Sequence, residues 1–141
     1  MRAVIDTNVL IAGLLWHGVP HRLLEHVRSN TLIMITSRVL LVEFADVIGR
    51  TKFDDILVRS QTSREHLLSE IQQLCELIDT PPLTEPVCRD PDDDHVLACA
   101  LAAHADCIVT GDDDLLVLRA YEDIPIVSPA VALRMIEESK T

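Results

Sequence analysis

The sequence has very few aromatic residues: Phe, Tyr and Trp together make up 3% of the 141 residues. With so few large rings, the core must be built from Leu, Val, Ile and Ala, a mixture that suits helices packed on a buried parallel sheet. Apolar residues still make up 48% of the chain, which is a globular and not a disordered composition. The length corresponds to about one domain, so we expect a single domain over residues 1–141.

Several patterns that would indicate other classes of protein are missing. No apolar run reaches the ~18 residues of a membrane-spanning helix, so no membrane association is expected. The sequence shows no CxxC pair, glycine-rich phosphate loop or internal repeat, and its first residues are not expected to be a signal peptide. Because the four cysteines form no such pair, we expect reduced thiols and a cytoplasmic location.

Cations are scarce as well: 12 Lys and Arg residues against 23 Asp and Glu residues give a net charge of −11. An acidic protein repels phosphates and binds nucleic acid poorly without specific contacts. A function on nucleic acid therefore requires that some of the acids be neutralised by bound cations.

Strand-like and helix-like segments alternate along the chain. Buried strands are predicted over residues 3–5, 31–36, 106–109 and 124–127. Helices are predicted over residues 9–15, 20–28, 38–48, 53–57, 63–78, 91–105 and 129–138. Ser37, Asp90 and Ser128 each precede one of these helices and are good caps. The alternation predicts an α/β fold, an open and mostly parallel sheet with helices on both faces.

Two of the predicted strands end in aspartate. Asp6 follows the first strand, and Asp112 follows Val109-Thr110-Gly111. In open parallel sheets, ligands bind beyond the carboxyl ends of the strands, near a switch in strand order. If both strands are central, the two carboxylates lie at one edge of the sheet. Taken alone, Asp6 fits a turn or helix cap equally well, and part of 112–114 is expected only to start a helix.

Two further acids stand where apolar side chains are expected. Glu43 shares a helix face with Val39, Leu40 and Val47. Asp94 lies on the same helix face as alanines and a leucine farther along its own helix. A role as a helix cap explains this position poorly. A carboxylate on an apolar face must be paired, protonated or bound to a metal. An arginine partner elsewhere in the fold is the alternative for Glu43.

These acids form a candidate metal site: Asp6, Glu43, Asp94 and Asp112, with Asp114 as a further possibility. Clustered carboxylates raise one another's pKa unless cations intervene. Mg²⁺ or Mn²⁺ prefers such oxygen ligands, and the site would activate a water for in-line displacement at a phosphate. On this interpretation the substrate phosphate binds to the metal and not to a basic patch.

The same residues resemble the PIN-domain nucleases, in particular bacterial and archaeal toxins of VapC type. The resemblance spans nearly the whole chain and rests on Val4-Ile5-Asp6-Thr7-Asn8, Ser37-x5-Glu43, Asp90-Pro91-Asp92-Asp93-Asp94 and Val109-Thr110-Gly111-Asp112-x-Asp114. It implies a three-layer α/β/α fold with a mostly parallel central sheet, dependence on Mg²⁺ or Mn²⁺, and endoribonuclease activity.

The resemblance also implies roles for individual residues and partners. It carries the four acids onto Asp6, Glu43, Asp94 and either Asp112 or Asp114. Thr110 is similar to the family's hydroxyl residue near the metal, and either Thr7 or Asn8 would orient Asp6. Family members are commonly dimers and are often held inactive by a small antitoxin. We therefore expect an RNA substrate, a homodimer and a possible antitoxin partner.

Four cations lie close together in the sequence after Glu43: Arg50, Lys52, Arg59 and Arg64. We interpret them as candidates for contact with RNA phosphates. A solvated helical face explains them equally well.

Other metal and enzyme classes are less well matched. His95, Cys99, His104 and Cys107 suggest zinc, but buried cysteines usually serve packing. A receiver domain needs a lysine on a late strand, and neither Lys52 nor Lys140 fits. A phosphatase with an Asp6 nucleophile would have a second acid where Asn8 stands. A non-catalytic scaffold of the same fold stays open, although all the expected acids are present.

Overall fold

The computed structural model describes residues 1–139, and Lys140 and Thr141 lie outside the described residues. The strands are β1 (Arg2–Ile5), β2 (Ile33–Ser37), β3 (Glu76–Ile78), β4 (Cys107–Val109), β5 (Ala120–Tyr121) and β6 (Ile124–Val127). The helices are α1 (Thr7–Leu15), α2 (Val19–Arg28), α3 (Arg38–Ile48), α4 (Asp54–Arg59), α5 (Arg64–Leu74), α6 (Pro91–Ala103), α7 (Asp113–Leu116) and α8 (Pro129–Glu138). A 3₁₀ turn, Thr51–Phe53, precedes α4.

The six strands form one sheet in the order β3-β2-β1-β4-β6-β5. All neighbours are parallel except β5, which runs antiparallel to β6. The chain moves outward from β1 through β2 to β3 and then returns to place β4 on the other side of β1. The order of the strands therefore reverses between β1 and β4, and Asp6 extends their pairing by donating its N–H to the Val109 carbonyl at 2.9 Å. This is where ligands bind in open parallel sheets.

Helices cover both faces of the sheet. Ala3, Ile5 and Val109 point to the face covered by α1, α2, α3, α5 and α8, and their intervening neighbours Val4 and Ile108 point to α6 on the other face. The alternation along each strand buries both faces, as expected for a parallel sheet. The three-layer α/β/α prediction is confirmed. None of the helices within residues 1–139 is long and apolar enough to cross a membrane.

The helix predicted over residues 63–78 is wrong at its carboxyl-terminal end, because the observed helix is shorter. Its first part is helical, with Leu67 and Ile71 buried, but α5 ends at Leu74 and Cys75 is extended with φ −97° and ψ 156°. The following residues form β3, in which Ile78 pairs with Ser37 at the edge of the sheet. Helical spacing continued past the helix end by coincidence, and pairing with β2 decided the local structure.

Candidate metal centre

Asp6 and Thr110 meet where β1 and β4 end. Asp6 is 7% exposed, and its Oδ2 accepts a hydrogen bond from the Thr110 hydroxyl at 2.8 Å. Thr110 is fully buried, and its hydroxyl also accepts a hydrogen bond from the Asp112 N–H at 3.0 Å. Burial raises the pKa of Asp6, while the hydrogen bonds from Thr110 and the Thr7 amide oppose the rise. Asp6 is thus a buried carboxylate with a fixed orientation.

Three aspartates gather beside this pair. Asp93, at the start of α6, is 8% exposed, and Asp112 and Asp114 lie at the start of α7. One carboxylate oxygen from each of the three lies within 4.8 Å of the others. The turn is fixed by Asp112, whose Oδ1 accepts a hydrogen bond from the Asp114 N–H at 2.9 Å. Asp112 and Asp114 therefore both belong to the cluster, whereas the sequence left open which of the two is the fourth acid.

Glu43 approaches the cluster from α3. Its carboxyl is half-buried, and among the described residues its buried Oε2 has no hydrogen-bond partner. Burial, followed by the charges of Asp92 and Asp6, raises the pKa of Glu43 to about 7. The arginine partner considered from the sequence is not found within residues 1–139, because Glu43 forms no ion pair there.

Asp93 experiences both burial and crowding by like charges. Burial, followed by the charge of Asp112, raises the pKa of Asp93 to about 7, and Asp6 and Asp114 contribute further. Burial is the largest cause of both shifts, and like charges held together without a cation add to it by disfavouring the ionised form.

The donor set fits a hard divalent cation. It consists of carboxylate oxygens, the ligands that Mg²⁺ and Mn²⁺ prefer. Glu43 contributes a buried oxygen without a partner, and a cation near it would remove both this deficit and the repulsion among the aspartates. Cys and His side chains are missing from the three-residue group found among residues 1–139, so the site differs from zinc sites built on sulfur and nitrogen.

Asp94 does not join the cluster, contrary to the expectation from the sequence. Its carboxylate faces the loop before α6, where Oδ1 accepts from the Cys88 N–H at 2.8 Å and Oδ2 from the Val87 N–H at 3.2 Å. Asp94 therefore anchors the loop, and Asp93 occupies the position expected for it.

The cause of this difference is the choice of helix face. The face of Asp94 includes Ala98, which is buried, and Leu101, which is 40% exposed. Val96, Leu97 and Ala100 on the face of Asp93 are all buried. Successive helical residues point about 100° apart, so neighbouring aspartates face different surroundings. Spacing alone does not distinguish the two aspartates, because both have apolar residues at i+3, i+4 and i+7.

The other predicted supporting residues take separate positions. Thr7 is buried and acts on Asp6 through its backbone N–H. Asn8 is exposed and lines the pocket that also contains Asp6 and Asp112. Sequence reasoning overlooked Arg89, whose guanidinium lies 3.3 Å from the Asp114 carboxylate at the rim.

The four candidate RNA-binding cations are not equivalent. Arg64 is used within the fold, since its guanidinium donates to the Ile48 carbonyl at 2.7 Å and to the Arg50 carbonyl at 3.1 Å. Arg50 lines a cleft beside Glu43, and within residues 1–139 it has no ion-pair partner. Lys52 Nζ lies 5.1 Å from the centroid of the Phe53 ring. Arg59 is exposed at the end of α4.

The zinc alternative has no geometric support in the described part of the chain. Cys99 packs into the core on the α6 face of the sheet, and Cys107 packs on the opposite face. His104 is the exposed residue that ends α6, with φ 51°. The sheet separates the two thiols, so these residues do not form one site.

Comparison with known proteins identifies the family and supports the fold. The sequence model of the family described as PIN domain matches residues 2–114. The structure of VapBC2 from Rickettsia felis, bound to a DNA fragment from its promoter, matches with a TM-score of 0.60 and 15% identity, covering 91% of this chain and 98% of the other. The structure of FitAB bound to the IR36 DNA fragment matches with a TM-score of 0.55 and 14% identity, covering 90% and 94%. No curated protein sequence matches the chain.

Proposed function

The chain belongs to the PIN domain family, and from this premise we propose that it is a metal-dependent endoribonuclease that hydrolyses phosphodiester bonds in RNA. The observation that carries the proposal is the convergence of five carboxylates from four separate segments at the ends of β1 and β4. They belong to Asp6, Glu43, Asp93, Asp112 and Asp114. Crowding of carboxylates destabilises the folded protein unless a cation is bound, and a purely structural role does not explain why the fold would keep them together.

The aspartates would hold a Mg²⁺ or Mn²⁺ ion. Asp93, Asp112 and Asp114 supply the oxygens that lie within 4.8 Å of one another, and Asp6 completes the set from β1. When bound, the cation supplies Lewis-acid stabilisation of the phosphate and lowers the pKa of a water. Thr110 keeps the Asp6 carboxylate turned toward the cluster through its 2.8 Å hydrogen bond.

Glu43 would orient the attacking water. Its Oε2 has no partner among the described residues, so it is free to accept a hydrogen bond from that water. As the water adds to phosphorus and the opposite P–O bond breaks, the Glu43 carboxylate accepts the proton that the water loses. The pKa of Glu43 is about 7 without a cation, and a nearby cation would lower it and favour the carboxylate form that accepts the proton.

Arg50 would compensate for the acidic character of the site. It lines the cleft beside Glu43 and has no ion-pair partner within residues 1–139, so its guanidinium is available to an RNA phosphate. Lys52 and Arg59 also follow α3 in the sequence. Both are exposed, so they are secondary candidates for contact with RNA. Arg64 is better explained by its hydrogen bonds to the backbone.

We also propose that the protein is the toxin of a toxin–antitoxin pair. The likeness to VapBC2 and FitAB over nine-tenths of the chain supports this assignment. A small antitoxin would then bind the protein and hold it inactive in the cytoplasm. A homodimer is part of the same proposal, and size-exclusion chromatography with light scattering tests it directly.

The experiment that tests the nuclease is cleavage of mixed structured and single-stranded RNA. Purified protein is incubated with Mg²⁺, with Mn²⁺ and with chelator, beside the Asp93→Asn variant. We expect cleavage that requires the metal and decreases by at least about a hundredfold in the variant, since one ligand is lost. Asp113→Asn is the matched control, because Asp113 is exposed in the same acidic turn but lies outside the cluster.

Two results would contradict the proposal. Cleavage in chelator at an undiminished rate would show that the carboxylates do not act through a cation. Failure of Mn²⁺ to bind the folded protein in calorimetry would make the cluster structural and leave the non-catalytic scaffold as the function.

A further inference from the structure

One arginine is in direct contact with the acidic cluster. The Arg89 guanidinium lies 3.3 Å from Oδ1 of Asp114, and Asp114 shares the cluster with Asp93 and Asp112. Within residues 1–139, no other Lys or Arg side chain forms an ion pair with a member of the cluster. Arg89 is therefore the positive charge that the fold places against the carboxylates.

The contact between Arg89 and Asp114 contributes little to the fold. The Arg89 side chain is 89% exposed and the Asp114 side chain is 56% exposed, so water screens their attraction. In the described part of the chain, the Arg89 side chain makes no other hydrogen bond. The guanidinium can therefore exchange this carboxylate for another anion without loss of packing.

The backbone around Arg89, in contrast, is held on both sides. The two preceding residues, Val87 and Cys88, donate their N–H groups to the Asp94 carboxylate at 3.2 and 2.8 Å. The Cys88 side chain also packs against the core on the α6 face of the sheet. Asp90, which follows, is the N-cap of α6. An exposed guanidinium thus extends from a fixed point at the rim of the cluster.

We propose that Arg89 binds the phosphate of the RNA bond that is cleaved, and that Asp94 is a positioning residue that holds the loop from which Arg89 extends. The inference rests on the proposed nuclease function and names a residue that contacts the substrate. With Asp114 engaged as a metal ligand, Arg89 exchanges the Asp114 carboxylate for the phosphate. A guanidinium suits this exchange because its paired N–H groups match the oxygens of carboxylates and phosphates alike.

The charge of the site explains why such a residue is needed. Five carboxylates gather at the cluster, and Asp90 and Asp92 add charge that is felt at Glu43. A divalent cation offsets only part of this charge, so a phosphate, itself an anion, is still repelled by the remainder. A guanidinium at the rim offsets more of it at the point where the phosphate must approach.

The first test is steady-state cleavage of a single-stranded RNA oligonucleotide with Mn²⁺. Arg89→Gln should lower kcat/KM roughly 10–100-fold, mostly through a higher KM, because a charged hydrogen bond to the bound substrate is lost. Arg89→Lys keeps the charge without the paired donors and should recover part of the loss. Wild-type KM in Arg89→Gln overturns the inference.

Arg22→Gln is the matched control for these variants. Arg22 is likewise exposed and has a carboxylate partner, Glu137, at 2.7 Å. The pair joins α2 to α8, and Arg22 lines neither of the pockets that include Asp6 or Glu43. Its substitution should leave kcat and KM unchanged, and a KM raised as much as in Arg89→Gln would show a general effect of charge and overturn the specific contact.

The second test measures Mn²⁺ binding by calorimetry, without RNA. Arg89→Gln should bind Mn²⁺ as tightly as wild type or up to about fivefold more tightly, because Asp114 loses an exposed partner that competes with the cation. Weaker binding of Mn²⁺ would mean that Arg89 supports the metal site itself, which contradicts the exchange.

The third test concerns the positioning role of Asp94. Asp94→Ala should retain Mn²⁺ binding and raise KM, because the loop that carries Arg89 loses its anchor. Combined with Arg89→Gln, it should add no further increase in KM, since both changes remove the same contact with the substrate. Independent, additive effects of the two substitutions overturn the positioning role.

A binding measurement separates this inference from the nuclease proposal. In a Glu43→Gln background with Mn²⁺, fluorescence anisotropy gives the affinity for the same RNA at several salt concentrations. Arg89→Gln should reduce the slope of log Kd against log salt by about 0.7, the value for one phosphate contact on a single strand. An unchanged slope, with metal-dependent cleavage intact in the wild type, overturns the Arg89 contact and leaves the nuclease standing. RNA that is bound with the reduced slope but is never cleaved by the wild type contradicts the nuclease alone.

Discussion

The Thr110 hydroxyl joins the ends of two neighbouring strands, donating a hydrogen bond to Asp6 Oδ2 at 2.8 Å while accepting one from the Asp112 N–H at 3.0 Å. Thr110 is fully buried, so neither bond competes with water. The hydroxyl fixes the orientation of the Asp6 carboxylate and the start of the turn that brings Asp112 and Asp114 to the cluster.

Replacing Thr110 with Val should therefore weaken cation binding without changing the volume of the side chain much. We expect the affinity for Mn²⁺ to fall roughly 10–100-fold, because the orienting partner of a ligand is lost. The free energy of unfolding should fall by about 1–3 kcal/mol, since the Asp112 N–H and Asp6 lose their partner. Titration calorimetry and chemical denaturation measure the two effects. Thr110→Ser retains the hydroxyl and should be close to wild type in both, and equal losses in Ser and Val variants would contradict this role.

The neighbouring residues Asp93 and Asp94 should respond differently to the same substitution. Asp93→Asn removes a member of the cluster and should abolish Mn²⁺ binding. Asp94→Asn should preserve Mn²⁺ binding but weaken the loop contacts to Val87 and Cys88. Calorimetry for the metal, and limited proteolysis within 84–88 for the loop, distinguish the two variants. Loss of metal binding in Asp94→Asn with retention in Asp93→Asn would restore the assignment made from the sequence.

The stability of the metal-free protein should depend on pH through Asp93 and Glu43. Both carboxyls have a pKa of about 7 in the folded state, above the ordinary value of about 4. A raised folded-state pKa favours folding at low pH, and this contribution is lost as pH rises from about 4 to about 7.

In chelator, the Tm should therefore be higher at about pH 5.5 than at about pH 8, and Asp93→Asn should reduce the difference. Added Mg²⁺ should raise the Tm more at the higher pH, where protons no longer compete with it. Scanning fluorimetry at constant ionic strength measures both effects. A Tm that does not fall between the two pH values, in wild type as in the variant, would contradict the raised pKa values.

Arg64 should be important for stability and not for contact with RNA. Its guanidinium donates to the Ile48 and Arg50 carbonyls and forms an ion pair with Asp54 at 2.6 Å. Arg64→Gln should lower the free energy of unfolding by about 1–3 kcal/mol, because two backbone carbonyls lose a charged donor. Arg59→Gln, on the exposed end of α4, should leave stability unchanged. An unchanged stability of Arg64→Gln with a weaker salt dependence of RNA cleavage would instead support the phosphate contact.

Local sequence signals predicted much of the fold. Ser37 precedes an apolar periodic segment and accepts a hydrogen bond from the Leu40 N–H at 3.3 Å, so α3 begins and ends as predicted. Asp90 accepts from the Asp92 N–H at 2.9 Å and starts α6 in the same way. These features could be predicted because a cap and the helix it begins lie within a few residues of each other.

Contacts between distant segments were harder to predict from the sequence. The edge strand β3 was predicted as helix, because only pairing with β2 makes Glu76–Ile78 extended. The interpretation of Arg64 as an RNA ligand overlooked the Ile48 carbonyl, which lies 16 residues away in the chain. Neither partner can be identified from the local sequence pattern.

The sequence by itself determined the alternation of strands and helices, with Asp6 and Asp112 at the ends of two strands. It also placed acids on apolar helix faces, and together these features predicted an acidic site at the edge of an α/β sheet. Only the tertiary structure decided which acids meet. The placement of β1 beside β4 brings Thr110 to Asp6, and the rotation of α6 on the sheet turns Asp93 inward and Asp94 toward the loop. Periodicity gives the helix two partly apolar faces, and the choice between them depends on the surface against which the helix packs.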